Sequence, residues 1–131
     1  MLAKGLLTLS SAVFAAAGLA YLAVPGLALG VVGIPSSPAS DFLLRTEGVP
    51  LLLGAAMTWI VRDSGRREQR VALAALSSYY VLSSVIDLAA FAQGVVSVVS
   101  LPSAVARIAI GTMCAAAAIS ARRSPAGAPP S

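Results

Sequence analysis

Residues 5–34, GLLTLSSAVFAAAGLAYLAVPGLALGVVGI, run for thirty positions without a charged side chain. A helix crossing the hydrocarbon core of a bilayer needs about 20 consecutive apolar residues. A secretory leader carries an apolar stretch of only roughly 7 to 15 residues, so this run is too long for one even though Lys4 precedes it. Pro25-Gly26 interrupts it. That predicts a first helix over about 4–24, then a loop through Gly30, Gly33, Pro35 and Pro38 that skims or re-enters the membrane surface.

Outward from this run lies a second apolar stretch, then the one charge-dense segment, Arg62 to Arg70. The segment is too short for a domain and reads as a hairpin joining helix two, about 42–61, to helix three, about 70–92. Ser40 and Asp41 offer N-cap oxygens for helix two. Pro50 removes the hydrogen bond to the Thr46 carbonyl and predicts a bend there, while Trp59 suits the headgroup level. Gln93-Gly94 ends helix three, and residues 95–99 fit a loop, a short strand or a helix extension. Helix four, about 102–121, opens on Pro102, which a first turn tolerates. The tail, 122–131, holds three prolines and no apolar run, and is expected to be disordered.

The expected fold is therefore all-α, a single four-helix transmembrane domain over residues 1–121. Composition agrees: the chain of 131 residues is 58% hydrophobic and 11% charged, with mean hydropathy +0.90, whereas soluble domains carry about 25% charged residues. Seven of the nine cations, namely Lys4, Arg62, Arg66, Arg67, Arg70, Arg122 and Arg123, lie at the termini and in the hairpin. The positive-inside rule then places both the N and C termini in the cytoplasm. The same distribution accounts for the net charge of +4 without nucleic acid, since no basic and aromatic residues interleave to stack bases. An alanine-rich chain with eight arginines to one lysine suggests a bacterial inner membrane.

There is no histidine and one cysteine, Cys114. Those counts exclude an intrachain disulfide, a CxxC redox pair, imidazole-based triads and histidine-ligated haem or zinc. No metal site and no cofactor is expected, and Cys114 reads as a small packing residue.

Four charges remain inside apolar helices: Arg45, Glu47, Asp87 and Arg107. Each costs roughly 2.5–3.5 kcal/mol at membrane depth, so such residues persist when they pair, line a cavity or meet a polar ligand. Counting about 1.5 Å per residue from the expected helix ends puts all four roughly 4–8 Å from the outer boundary. Helical phase groups Tyr80, Ser83, Ser84 and Asp87 on one face of helix three, and Arg107, Ile110, Gly111, Cys114 and Ala118 on one face of helix four. On helix two, Arg45 and Glu47 stand about 200° apart. Gly48 and Leu52 lie near the Arg45 face, Gly54 and Thr58 near the Glu47 face. Glu47 and Asp87 are expected to face inward with Arg107 beside them and Arg45 at the rim.

Two kinds of role follow. Ion pairs such as Asp87–Arg107 lock helices in register. A pocket, with Arg45, Arg107, Tyr80, Ser83 and Ser84 as contacts, binds a small amphipathic ligand or seats a partner membrane subunit. The alternative is a membrane-embedded acid–base isomerase or cyclase acting on an isoprenoid or other lipid. Glu47 and Asp87 would then carry protons, since two carboxylates in a dry site disfavour double ionisation.

The stretches LLRTEGVPLLLGA (43–55) and VIDLAAFAQG (85–94) resemble the DoxX-like superfamily of small four-helix membrane proteins, near its uncharacterised neighbouring domains. Pro25, Arg45, Gly48 and Asp87 occupy the places of its helix-ending proline, its Arg-x-x-Gly turn and its late polar residue of helix three. The resemblance implies a compact four-helix membrane bundle. Some DoxX relatives serve as subunits of membrane oxidoreductase or thiol-stress assemblies; Cys114 alone supplies no thiol pair for that chemistry.

Overall fold

The computed structural model describes residues 2–123, and these are helical almost throughout. Helix α1 spans Leu2–Ala23, α2 Pro25–Val32, α3 Pro38–Val61, α4 Arg66–Ala92 and α5 Leu101–Arg123, with a 3₁₀ turn at Val98–Ser100 leading into α5. Residues 124–131, most of the expected disordered tail, lie outside the described residues, and Arg122 and Arg123 at its start continue α5.

The helix ends correct the expectation in three places, the first being α4, which begins at Arg66 rather than near 70 and so takes half of the expected hairpin segment into the helix. The stretch after Pro25 was expected to be a loop and is the short helix α2. Pro25 takes its first turn, where a missing N–H leaves no bond unmade. Gly33, at φ 79°, closes it in the left-handed conformation that glycine adopts without penalty. Helix α3 begins four residues earlier than the capping assignment to Ser40 and Asp41 implies. Ser37 is the N-cap: its Oγ accepts from the Ser40 amide at 3.1 Å, and Ser40 Oγ accepts from the Ser37 amide at 2.9 Å. Serine at the third position thus plays the reciprocal part usually given to glutamate, while Asp41 accepts a bond from Ser36 Oγ. Pro50 lies inside α3 without breaking it.

The four long helices form two antiparallel pairs. In the first, a Cβ added at Gly18 or Gly48 would stand 2.9 Å from the other residue's carbonyl oxygen, so α1 and α3 meet backbone to backbone. Ser11 Oγ donates to the Ala55 carbonyl at 2.8 Å, and Lys4 reaches Asp63. Positions rise along α1 as they fall along α3, which fixes the direction. In the second pair Gly111 of α5 packs against Tyr80 and the Ser77 carbonyl of α4, and Ser84 Oγ donates across to the Ala104 carbonyl at 3.2 Å. Leu6, Leu7 and Phe14 of α1 join the pairs by packing with Leu73, Leu76, Tyr80 and Cys114.

Around this core the packing differs from that of a water-soluble domain. Serines 10, 11 and 84, Thr58 and several glycines are buried, while Leu27, Phe42, Leu82, Ile86 and Val105 are exposed. Small residues that admit close backbone approach and hydroxyls bonded across helices are what hold helices together in lipid, where burial of aliphatics offers no gain. Among the described residues three helices are long and apolar enough to cross a membrane: Leu2–Ala23, Arg66–Ala92 and Leu101–Ser120. Helix α3 has the length, but Asp41, Arg45 and Glu47 interrupt its apolar character.

The turn 62–65 is tied down by charge. Asp63 bridges Lys4 and Arg62, the guanidinium of Arg62 lies 3.2 Å from the centre of the Trp59 ring, and the Gln69 side chain donates to the Arg62 and Ser64 carbonyls. Hydrogen bonds from Lys4 and then Arg62 hold the Asp63 carboxyl below its ordinary value of 3.8. A carboxylate depressed in the folded state contributes above its unfolded value and is lost as pH falls through the folded one. Amide exchange at residues 62–65 is therefore expected to accelerate as pH drops below about 4, beyond the intrinsic rate change. The Lys4→Gln variant should show the faster exchange already at neutral pH.

Candidate site: a lateral groove and an ion pair

The four charges separate into two arrangements. Asp87 and Arg107 meet across α4 and α5, with Nη1 donating to Oδ2 at 2.7 Å and both side chains about a third exposed (29% and 32%). Glu47 has no cation within bridging distance among the described residues, and Arg45 is exposed with no hydrogen bond or ion pair among them. The pair therefore forms without Glu47, which is exposed rather than turned inward as expected. Tyr79 lines the same groove as Glu47, and its ring meets those of Phe14 and Tyr80 edge-on.

The remaining expected contacts are committed elsewhere. Tyr80 is buried in the core, 2% exposed, and its ring packs against Phe14 and Tyr79. Ser83 and Ser84 both donate to the Tyr80 carbonyl, at 3.1 and 2.7 Å, and Ser84 also bonds α5. These serines close local backbone bonds rather than line a cavity. Ser10 Oγ and the Tyr80 hydroxyl are buried without hydrogen-bond geometry to any described group, though they lie close to each other.

An open groove of about 700 Å³ runs between α3 and α4, within the range of small-molecule sites. Pro50, Gly54, Met57 and Thr58 line it from α3, Val71, Ala75 and Tyr79 from α4, and Phe14 of α1 forms its floor. The groove arises because α3 packs chiefly on α1 and α4 chiefly on α5, so that α3 and α4 touch each other little. Small side chains keep it open: Gly54 on one wall, Ala72 and Ala75 on the other. Glu47 lines one end, and Arg67 and Glu68 line the other. Asp87 is not part of its wall.

Reading the charges alone misses Phe14, Met57, Ala75 and Tyr79. The available signal was the face of α3 that carries Glu47 together with Gly54 and Thr58, which proves to be one wall of the groove. Among the described residues no cluster of acids and cysteine is arranged to hold a metal ion. The chain matches no protein-family model, no curated protein and no solved structure.

Proposed function

We propose that this is an integral membrane protein, its four long helices crossing a bacterial inner membrane with both termini cytoplasmic. Its α3–α4 groove takes up the apolar chain of a small amphipathic molecule from the bilayer, and the polar head of that molecule rests at Glu47 and Tyr79. The observation that carries this reading is the groove itself: an apolar channel open at its side, ending at an acid that no cation pairs among the described residues. In lipid an unpaired carboxylate is costly and persists where a ligand or cavity meets it. Cations at the turn 62–65, the start of α4 and the chain ends support the orientation.

Binding is favoured over two-carboxylate catalysis because Asp87 is held by Arg107 away from the groove wall. Asp87–Arg107 then serves to fix α4 against α5.

A groove-filling variant tests the proposal. Ala75 is exposed and lines the groove, so Ala75→Trp blocks the channel without entering the core. Binding of twelve-carbon amphiphiles to the protein in phosphatidylcholine nanodiscs is expected to fall at least tenfold, with helical content and thermal stability unchanged. Undiminished binding would overturn the reading.

A further inference from the structure

Resting on that reading, we infer that the head of the bound amphiphile is a cation, an alkylammonium group for which Glu47 is the counter-ion. The two ends of the groove differ in charge balance. At the end near the turn 62–65, Arg67 and Glu68 line the wall together, so their formal charges cancel. At the opposite end Glu47 lines it alone.

The neighbouring cations do not supply that balance. Arg107 is engaged with Asp87 at 2.7 Å. Arg45 sits two positions before Glu47, about 200° around the helix, and forms no ion pair among the described residues. The charge left over where the groove meets Glu47 is negative.

The aromatic surroundings suit the same ligand. Tyr79 lines the groove with Glu47, and its ring meets that of Phe14 edge-on, centroids 5.0 Å apart. An electron-rich ring face attracts an ammonium group, and more strongly where water is excluded. A neutral alcohol head gains a hydrogen bond at Glu47 but no charge pairing. An anionic head meets a like charge in a low-dielectric setting, where repulsion is stronger than in water.

The order expected is alkylammonium, then alcohol, then alkyl sulfate. Radiolabelled dodecyltrimethylammonium, dodecanol and dodecyl sulfate would be bound to the full chain in phosphatidylcholine nanodiscs, with partition into empty discs subtracted. The alkylammonium is expected to bind about tenfold more tightly than the alcohol. Glu47→Gln should remove that preference while leaving alcohol binding intact, and Ala75→Trp should remove both. Equal binding of the three by the wild-type chain, or preference for the sulfate, overturns the cation assignment and leaves the groove reading standing. Absence of saturable binding by any of them overturns both. The head-group series on the wild-type chain decides the matter even if a variant does not fold.

Discussion

Gly48→Leu is expected to separate α1 from α3 and to destabilise the protein by about 3 kcal/mol or more, the upper end of overpacking penalties. A Cβ at position 48 would meet the Gly18 carbonyl oxygen at 2.9 Å and Leu22 Cγ at 3.0 Å, and the first of these is backbone that no rotamer change can move. Relief requires the helices to part, which also breaks the Ser11–Ala55 hydrogen bond lower in the same interface. Gly5→Leu is the control, since a Cβ there meets nothing within 4 Å and helix propensity then favours leucine slightly. Thermal unfolding in detergent should show a large drop for position 48 and none for position 5. Similar curves for both would contradict the close approach of α1 and α3.

The second large effect concerns Asp87–Arg107. Removing one partner of a fully buried pair costs about 3–5 kcal/mol because the other charge is left uncompensated, whereas exposed pairs are worth about 0.2–1 kcal/mol. With each side chain about a third exposed, Asp87→Ala is expected to cost about 2 kcal/mol, between those limits. The double variant Asp87→Ala/Arg107→Ala should recover much of that loss. A double-mutant cycle in detergent would measure the coupling, expected above about 1 kcal/mol. Additive single effects would show that the pair contributes nothing to holding α4 against α5.

Those two contacts also show what the sequence can and cannot convey. The helical class followed from the absence of charge over residues 5–34 and the spacing of the later apolar runs. Helix ends were harder, because one residue type carries opposite meanings. Pro25 stops α1 and opens α2 in the same step, and Ser40 is the reciprocal partner of a cap rather than the cap. Helical phase placed Asp87 and Arg107 on candidate facing surfaces, and one short salt bridge joins them.

Phase could not decide how two helix pairs lean on each other, and that decides where the groove opens. Tyr80 lies on the same helical face as Asp87, yet it points into the core beside Ser10, while Tyr79, one residue earlier, lines the groove. Glu47 was legible as an unusual charge, but that no cation pairs it among the described residues depends on how the helices are placed against one another. Neither fact is encoded in any local pattern; both depend on which helix faces meet across the bundle.

The most direct test of the account is to map where an alkyl chain sits. A dodecyl amine bearing a terminal diazirine, photolysed with the protein in nanodiscs, should label residues such as Leu51, Met57, Val71 and Ala75, as read by peptide mass spectrometry. Labelling spread evenly over the outward aliphatics, Leu82, Ile86, Val105 and Ile119 among them, with the groove residues no richer than these, would contradict it.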